Sequence, residues 1–247
     1  MGICKVENGV FICYLKENIM TVSLEQLQGL ENKHGFNYPM IYKTLCQDNM
    51  LTWGEVNIHW KKEIYPTLKD NPPLSLYINH IEVMDFDDIE HITDMFLNQD
   101  DHMAINPNYL FVPFLQDGLG DYYCFWYHHD LPYLSKDDVP IVLFHHDYDE
   151  ADILAKDLQD FIFYLMLYGV VDIESDSELM QDIETNLANY LKSHKKYLKP
   201  EHYDVIKKIY GYNFDDNKEG LIDEGEFIKM LHEHIGFKGL LTSFDCR

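Results

Sequence analysis

Residues 111–127 read FVPFLQDGLGDYYCFWY, an apolar run, an Asp-Gly-Leu-Gly-Asp turn and an aromatic run. Two runs of strand type around a short turn with two glycines are the signature of a β-hairpin. Glycine reaches positive φ without penalty, and Asp bonds its own backbone in turns. The pattern predicts an antiparallel pair with the carboxylates of Asp117 and Asp121 at its tip. A chain committed to such a pair is neither all-helical nor a purely parallel sheet.

The surrounding segments fill in the architecture. Ser23, with Gln26 three positions on and Leu24, Leu27 and Leu30 following, reads as a helix start of capping-box type, and Gly35 ends that helix. Pro39 suits the first turn of a second helix over 39–48, with Met40, Ile41 and Leu45 inward. Residues 51–75 are loop-rich, residues 74–83 alternate loosely like a strand, and Asp85 or Asp87 caps a helix to residue 97. Residues 8–15 suit a strand or a short helix equally. Residues 139–144 read as a third strand. Asp149 or Asp152 then opens a long helix to residue 168, apolar nearly all round and therefore buried. An acidic break at 172–178 precedes helical segments at 179–194, 200–212 and 224–236. The fold class predicted is α+β: an antiparallel or mixed sheet flanked by helices, with an α-helical C-terminal extension. The domains expected are 1–170 and 171–247.

Charge narrows the partners. The net charge of -24 argues against a nucleic-acid or anionic-membrane surface, which needs Lys and Arg. It suits a protein that meets a basic partner, since such charge steers encounter; the alternative is that acidity only aids solubility. Cysteines at 4, 13, 46, 124 and 246 form no CxxC pair and read as free thiols in a reducing cytoplasm. Lys5, Glu7, Lys16 and Glu17 interrupt any secretory signal, and Val6 stands where a myristoylation motif needs Ser or Thr. No apolar stretch is long enough to span a bilayer.

Residues 215–226, DDNKEGLIDEGE, resemble a single EF-hand loop. Such a loop needs oxygen ligands at positions 1, 3, 5 and 12, a backbone carbonyl at 7 and Gly at 6. These are Asp215, Asn217, Glu219, Glu226, Leu221 and Gly220. Glu219 is longer than the usual Asp or Asn, and no second loop pairs with this one. Calcium is thus the one cofactor in view, and none is required. The alternative is an acidic turn between helices that binds nothing.

Catalytic patterns are sparse. No GxSxG elbow, P-loop or HExxH is present. His128-His129-Asp130 and His145-His146-Asp147 follow successive strands, but neighbours on a strand point to opposite faces, so each pair offers one convenient metal ligand. Asp117 and Asp121 fit turn chemistry better than paired acid–base work. The chain reads as a non-enzyme.

Several of these words, in order, resemble the SUKH superfamily, which includes bacterial toxin-immunity proteins and a fungal cell-wall regulator. The words are Val112-Pro113-Phe114, the 117–121 turn and the aromatic strand 122–127. Upstream, residues 38–43 (YPMIYK) are similar to the family's Leu-Pro-x-x-Tyr helix start, with Tyr38 in place of Leu. Downstream, residues 139–142, His146-Asp147, Glu150 and the segment 152–167 are similar to its closing elements. The resemblance covers roughly residues 20–170. It implies a cytoplasmic immunity protein that binds and neutralises a cognate toxin. The charge fits a basic toxin, such as a nuclease. Contact residues expected by type are Asp117, Asp121, Tyr122, Trp126, Asp147 and Asp149, acidic tips beside aromatic anchors. An intracellular regulatory or scaffold protein of the same fold, responsive to calcium, is the alternative.

Overall fold

The computed structural model describes residues 3–7, 10–14, 22–100, 105–128, 137–175, 177–214, 219–237 and 239–246, with side chains from residue 22 onward. Strands β1 (Ile3–Glu7) and β2 (Val10–Tyr14) form an antiparallel pair, so the ambiguous N-terminal segment is a strand. Helix α1 (Leu24–His34) starts at Ser23, whose hydroxyl accepts Gln26 N–H at 3.2 Å while Gln26 Oε1 accepts Ser23 N–H at 2.9 Å. Gly35, at φ 72°, stops it in the left-handed conformation that glycine reaches most cheaply. Helix α2 (Met40–Gln47) follows Pro39. Leu45 is buried there as expected, but Tyr42 takes the central inward position and Met40 is exposed.

Two single-turn helices, α3 (Trp60–Glu63) and α4 (Tyr65–Leu68), interrupt the loop-rich stretch. Of the loosely alternating segment 74–83, only β3 (Ile81–Val83) is strand. Asp85 caps α5 (Phe86–Leu97) by accepting Asp88 N–H at 2.9 Å. The hairpin β4 (Tyr109–Asp117) and β5 (Tyr122–His128) comes next, then β6 (Ile141–Phe144).

Where a single long helix is expected, the chain first makes another strand, β7 (Glu150–Ala155), and only then α6 (Leu158–Tyr168). Asp157, not Asp149 or Asp152, is the cap; it accepts Asp160 N–H at 2.8 Å. Helices α7 (Ile183–His194), α8 (Pro200–Ile209) and α9 (Glu224–His234) follow, and β8 (Ser243–Asp245) returns to the sheet. The result is an α+β fold with a six-stranded antiparallel sheet in the order β3-β4-β5-β6-β7-β8.

Strand alternation sends ring side chains to both faces of this sheet. On one face Phe111, Tyr122 and Phe144 meet Phe96 of α5, with ring centroids 4.7–6.3 Å apart. On the other, Phe114 stacks on Phe125 at 4.5 Å, and these two meet Tyr42 of α2 and Phe161 of α6. Pairs of this kind add about 0.5–1.5 kcal/mol each beyond simple burial.

Helix α6 is apolar all round because both its sides are covered. Phe161 faces the sheet, whereas Phe163 stacks on His202 of α8 at 4.2 Å. At its start, buried Asp160 bonds Lys199 Nζ at 2.5 Å, fastening α8 to α6. The segment after residue 171 therefore packs on α6 and supplies an edge strand to the same sheet. Among the described residues, no helix is long and apolar enough to cross a membrane.

Candidate functional site

One end of the sheet gathers most of the carboxylates singled out by the sequence. The β4–β5 turn is built by Asp117, whose Oδ1 accepts the N–H groups of Leu119 and Asp121, each at 2.9 Å. Gly120 sits at φ 97°, where other residues are strained. Gly118 N–H donates to His80 O at 2.8 Å, tying the turn to the approach to β3. Leu119, between the two glycines, is 80% exposed.

Asp121 joins this turn to the next one, between β6 and β7. Its Oδ2 lies 2.8 Å from His145 Nδ1. Its Oδ1 accepts His146 N–H at 3.0 Å and lies 2.8 Å from His146 Nδ1. The far nitrogen of His145 lies 3.0 Å from Asp152 Oδ2, and Ser243 of β8 donates to the other Asp152 oxygen. His146 Nε2 lies 3.2 Å from Asp147 Oδ2. Each imidazole thus stands between two carboxylates. Only the imidazolium form donates from both nitrogens, so this arrangement favours the charged form of each ring.

The acid–base balance follows from these contacts. Burial pushes the Asp121 carboxyl up, but hydrogen bonds from His146 and His145 outweigh it and hold the group below the usual carboxylate range. Burial lowers His145, yet the bonds to Asp121 and Asp152 together leave it raised. His146 is raised mainly by its hydrogen bond to Asp121. When both rings are protonated, the charges of the five groups sum to about -1 instead of about -3.

The residues expected as contacts separate into two sets. Asp117, Asp121, Asp147 and Asp149 come together at this end; Asp117 and Asp121 spend their oxygens on the turns, and Asp147 and Asp149 are exposed. Tyr122 and Trp126 turn toward the α5 face. Tyr122 packs on Phe96, and Trp126 stacks on Phe244 of β8 at 4.5 Å. His128 lies on that same aromatic cluster, 5.0 Å from the Tyr109 ring, whereas His129 and Asp130 fall outside the described residues.

The expectation that adjacent histidines diverge fails at His145 and His146. Both lie beyond the end of β6 in a turn, where strand alternation no longer applies, and both reach Asp121. Among the described residues, no group of three or more His, Cys, Asp or Glu is arranged to hold a metal ion.

Two exposed apolar side chains went unread in the sequence. Tyr148 is 68% exposed in the β6–β7 turn and stands with Leu119 at the carboxylate-rich end. A large residue inside a turn of Asp, Gly and His has no strand or helix to carry it inward, and that was the available signal.

A family profile described as SMI1 / KNR4 family (SUKH-1) matches residues 21–163, more than half of the 247. The chain belongs to this family. Curated proteins and solved structures gave no match. The SUKH-1 match takes in the hairpin turn, both histidines and Asp152, and stops inside α6. SUKH-1 proteins are generally non-catalytic, and immunity-type and SMI1-type regulatory roles are the ones the family supports.

Residues 215–226, expected from the sequence to form a calcium loop, lie beyond the SUKH-1 match. Asp215 and Asn217 fall outside the described residues. Glu219 O accepts Ile173 N–H at 2.7 Å, and Leu221 N–H donates to Val170 O at 2.8 Å, so this stretch docks on the chain leaving α6. A Cβ on Gly220 would lie 2.2 Å from Val171 O, which accounts for glycine by close backbone approach. Asp223 caps α9, and Glu226 Oε2 accepts Asp223 N–H at 3.3 Å in a capping box.

Proposed function

We propose that this SUKH-1 chain is a non-enzymatic immunity-type protein that binds and neutralises a basic protein toxin in the cytoplasm. The contact surface in this reading is the sheet end carrying the β4–β5 and β6–β7 turns. One observation carries it: exposed Leu119 and Tyr148 stand among Asp117, Asp147, Asp149 and Glu150 on turns braced by Asp121. An aromatic anchor supplies contact energy, and the surrounding carboxylates steer a basic partner and reject an acidic one. Bracing keeps the ordering cost of binding low.

The test is to inspect the neighbouring genes for a toxin-like domain and to measure affinity for it; a neighbourhood without one counts against the immunity reading. Tyr148→Ala is expected to weaken binding at least about 30-fold, the scale of an energetic anchor of 2 kcal/mol or more. Charge reversal at Asp147 and Asp149 is expected to slow association and flatten its salt dependence. Unchanged affinity in both variants would move the contact surface elsewhere.

The regulatory or scaffold reading of the same fold draws support from the segment after residue 171, which lies beyond the family match and docks through residues 219–222. In that reading calcium binding at 215–226 adjusts the docking. Calcium titration of the whole chain, followed by circular dichroism and thermal melting, tests it; a melting temperature indifferent to calcium and to chelator refutes it.

A further inference from the structure

Next to this sheet end, between the approach to β3 and the chain leaving α6, lies a small cleft of about 90 Å³ that opens to solvent. This is below the range of about 300–1,000 Å³ that small-molecule sites occupy, so it suits the end of one side chain and not a whole ligand. Its lining includes buried Ile78 and Gly169. Tyr168 forms an aromatic wall; it is 41% exposed and is held by ring contacts to Tyr164 and Phe227. Asp172 and Glu174 supply two exposed carboxylates. Asp172 makes no ion pair among the described residues, and Glu174 lies 3.2 Å from His80 Nε2. His80 itself sits at φ 63°, a sparsely populated backbone state, and its carbonyl is the one that holds Gly118 of the hairpin turn. The cleft and the turn are therefore fixed to each other by one residue.

A cleft lined by apolar side chains, a tyrosine ring and two carboxylates suits the cationic end of a long side chain. Arginine has that form: its stem packs on apolar surface, its planar guanidinium stacks on a ring, and its fork of donors matches a carboxylate. We propose that this cleft receives an arginine side chain of the protein partner when that partner docks on the neighbouring turns. The inference rests on reading the sheet end as a surface for a basic protein. It adds a specific socket, whereas the turns alone offer steering charge and two apolar knobs.

The probe is Nα-acetyl-arginine N-methylamide, titrated into the whole chain and followed by ¹H–¹⁵N NMR. The control is the citrulline analogue, which has nearly the same shape and no charge. The expected result is saturable shifts at the Asn79, Gly169 and Val171 amides, with citrulline at least 10-fold weaker. Asp172→Asn with Glu174→Gln, both exposed and so compatible with folding, is expected to weaken arginine binding about 10-fold. Equal binding of arginine and citrulline, shifts scattered away from these amides, or no effect of the double variant would overturn the proposal. The variant Leu119→Ser, Tyr148→Ser separates the two readings. It leaves arginine binding intact even where the turns prove not to be the partner's contact surface. A toxin whose binding depends on Tyr148 but not on Asp172 and Glu174 would sink the socket alone.

Discussion

Replacing Asp121 by Asn tests whether the two turns are braced by charge. Asp121 is largely buried and accepts three hydrogen bonds, from His145 Nδ1, His146 Nδ1 and His146 N–H. Bonds to charged groups contribute about 1.5–3 kcal/mol each when well shielded. Asn keeps one carbonyl oxygen, which serves the His146 N–H, and loses the charge that holds both rings. His146 is partly exposed, so its share is small. The net loss is about 2–4 kcal/mol, or roughly 5–15 °C in melting temperature for a chain of this size.

The pH profile of that loss is more diagnostic than its size. His145 and His146 are raised above the ordinary value of 6.5 in the folded chain. Their contribution is complete below 6.5 and disappears as pH rises through their folded values. Asp121 lies below its ordinary 3.8, so its contribution is present above 3.8 and disappears as pH falls through its folded value. The parent's advantage over Asp121→Asn is therefore greatest between about pH 4 and 6.5 and shrinks on the alkaline side. Urea unfolding at pH 5, 7 and 9, with NMR titration of the His145 ring, measures it. A constant difference across those pH values, or an unmoved His145 titration in the variant, would refute the reasoning.

Other outcomes follow from single residues. Gly220→Ala places a Cβ against the Val170 and Val171 carbonyls and is expected to destabilise by about 1–3 kcal/mol, equally with and without chelator; thermal melting in both buffers checks it. Buried His194 is pushed down to about 4 by burial, so it stabilises above 6.5 and loses that contribution as pH falls toward its folded value. His194→Phe is expected to remove about 2 kcal/mol of the stability difference between pH 7.5 and pH 5, read from urea midpoints. Leu119→Ser and Tyr148→Ala are expected to leave stability within about 0.5 kcal/mol of the parent, because neither side chain is buried; equilibrium unfolding decides it.

Four local signals in this sequence proved readable, each where a bond between near neighbours decides the structure. The Ser23–Gln26 box, the Asp85 cap, Gly35 and the 117–121 turn each involve partners within a few residues, and each formed. Strand β7 was hidden because Glu150–Ala155 carries helix-friendly Glu, Ala and Leu and continues the apolar spacing of α6. Pairing with β6 and β8 overrides that preference. The true cap, Asp157, was one of several closely spaced carboxylates. Trp126 looked like an exposed anchor since its stacking partner, Phe244, lies far along the chain. The Asp121–His145–Asp152 bridge was invisible for the same reason: it depends on two turns and an edge strand meeting in space.

That edge strand has a consequence for how the molecule is made. On the ribosome, β7 is complete at residue 155, yet its outer partner, residues 243–245, is synthesised nearly ninety residues later. At about 5–20 residues per second the open edge waits roughly 4–18 s. During that time the backbone groups of β7 are available to a neighbouring nascent chain, and Asp152 lacks the Ser243 hydroxyl that it bonds in the finished sheet. The acidic residues Glu150 and Asp152 on that strand then serve a second purpose, since like charges keep two such unfinished edges apart.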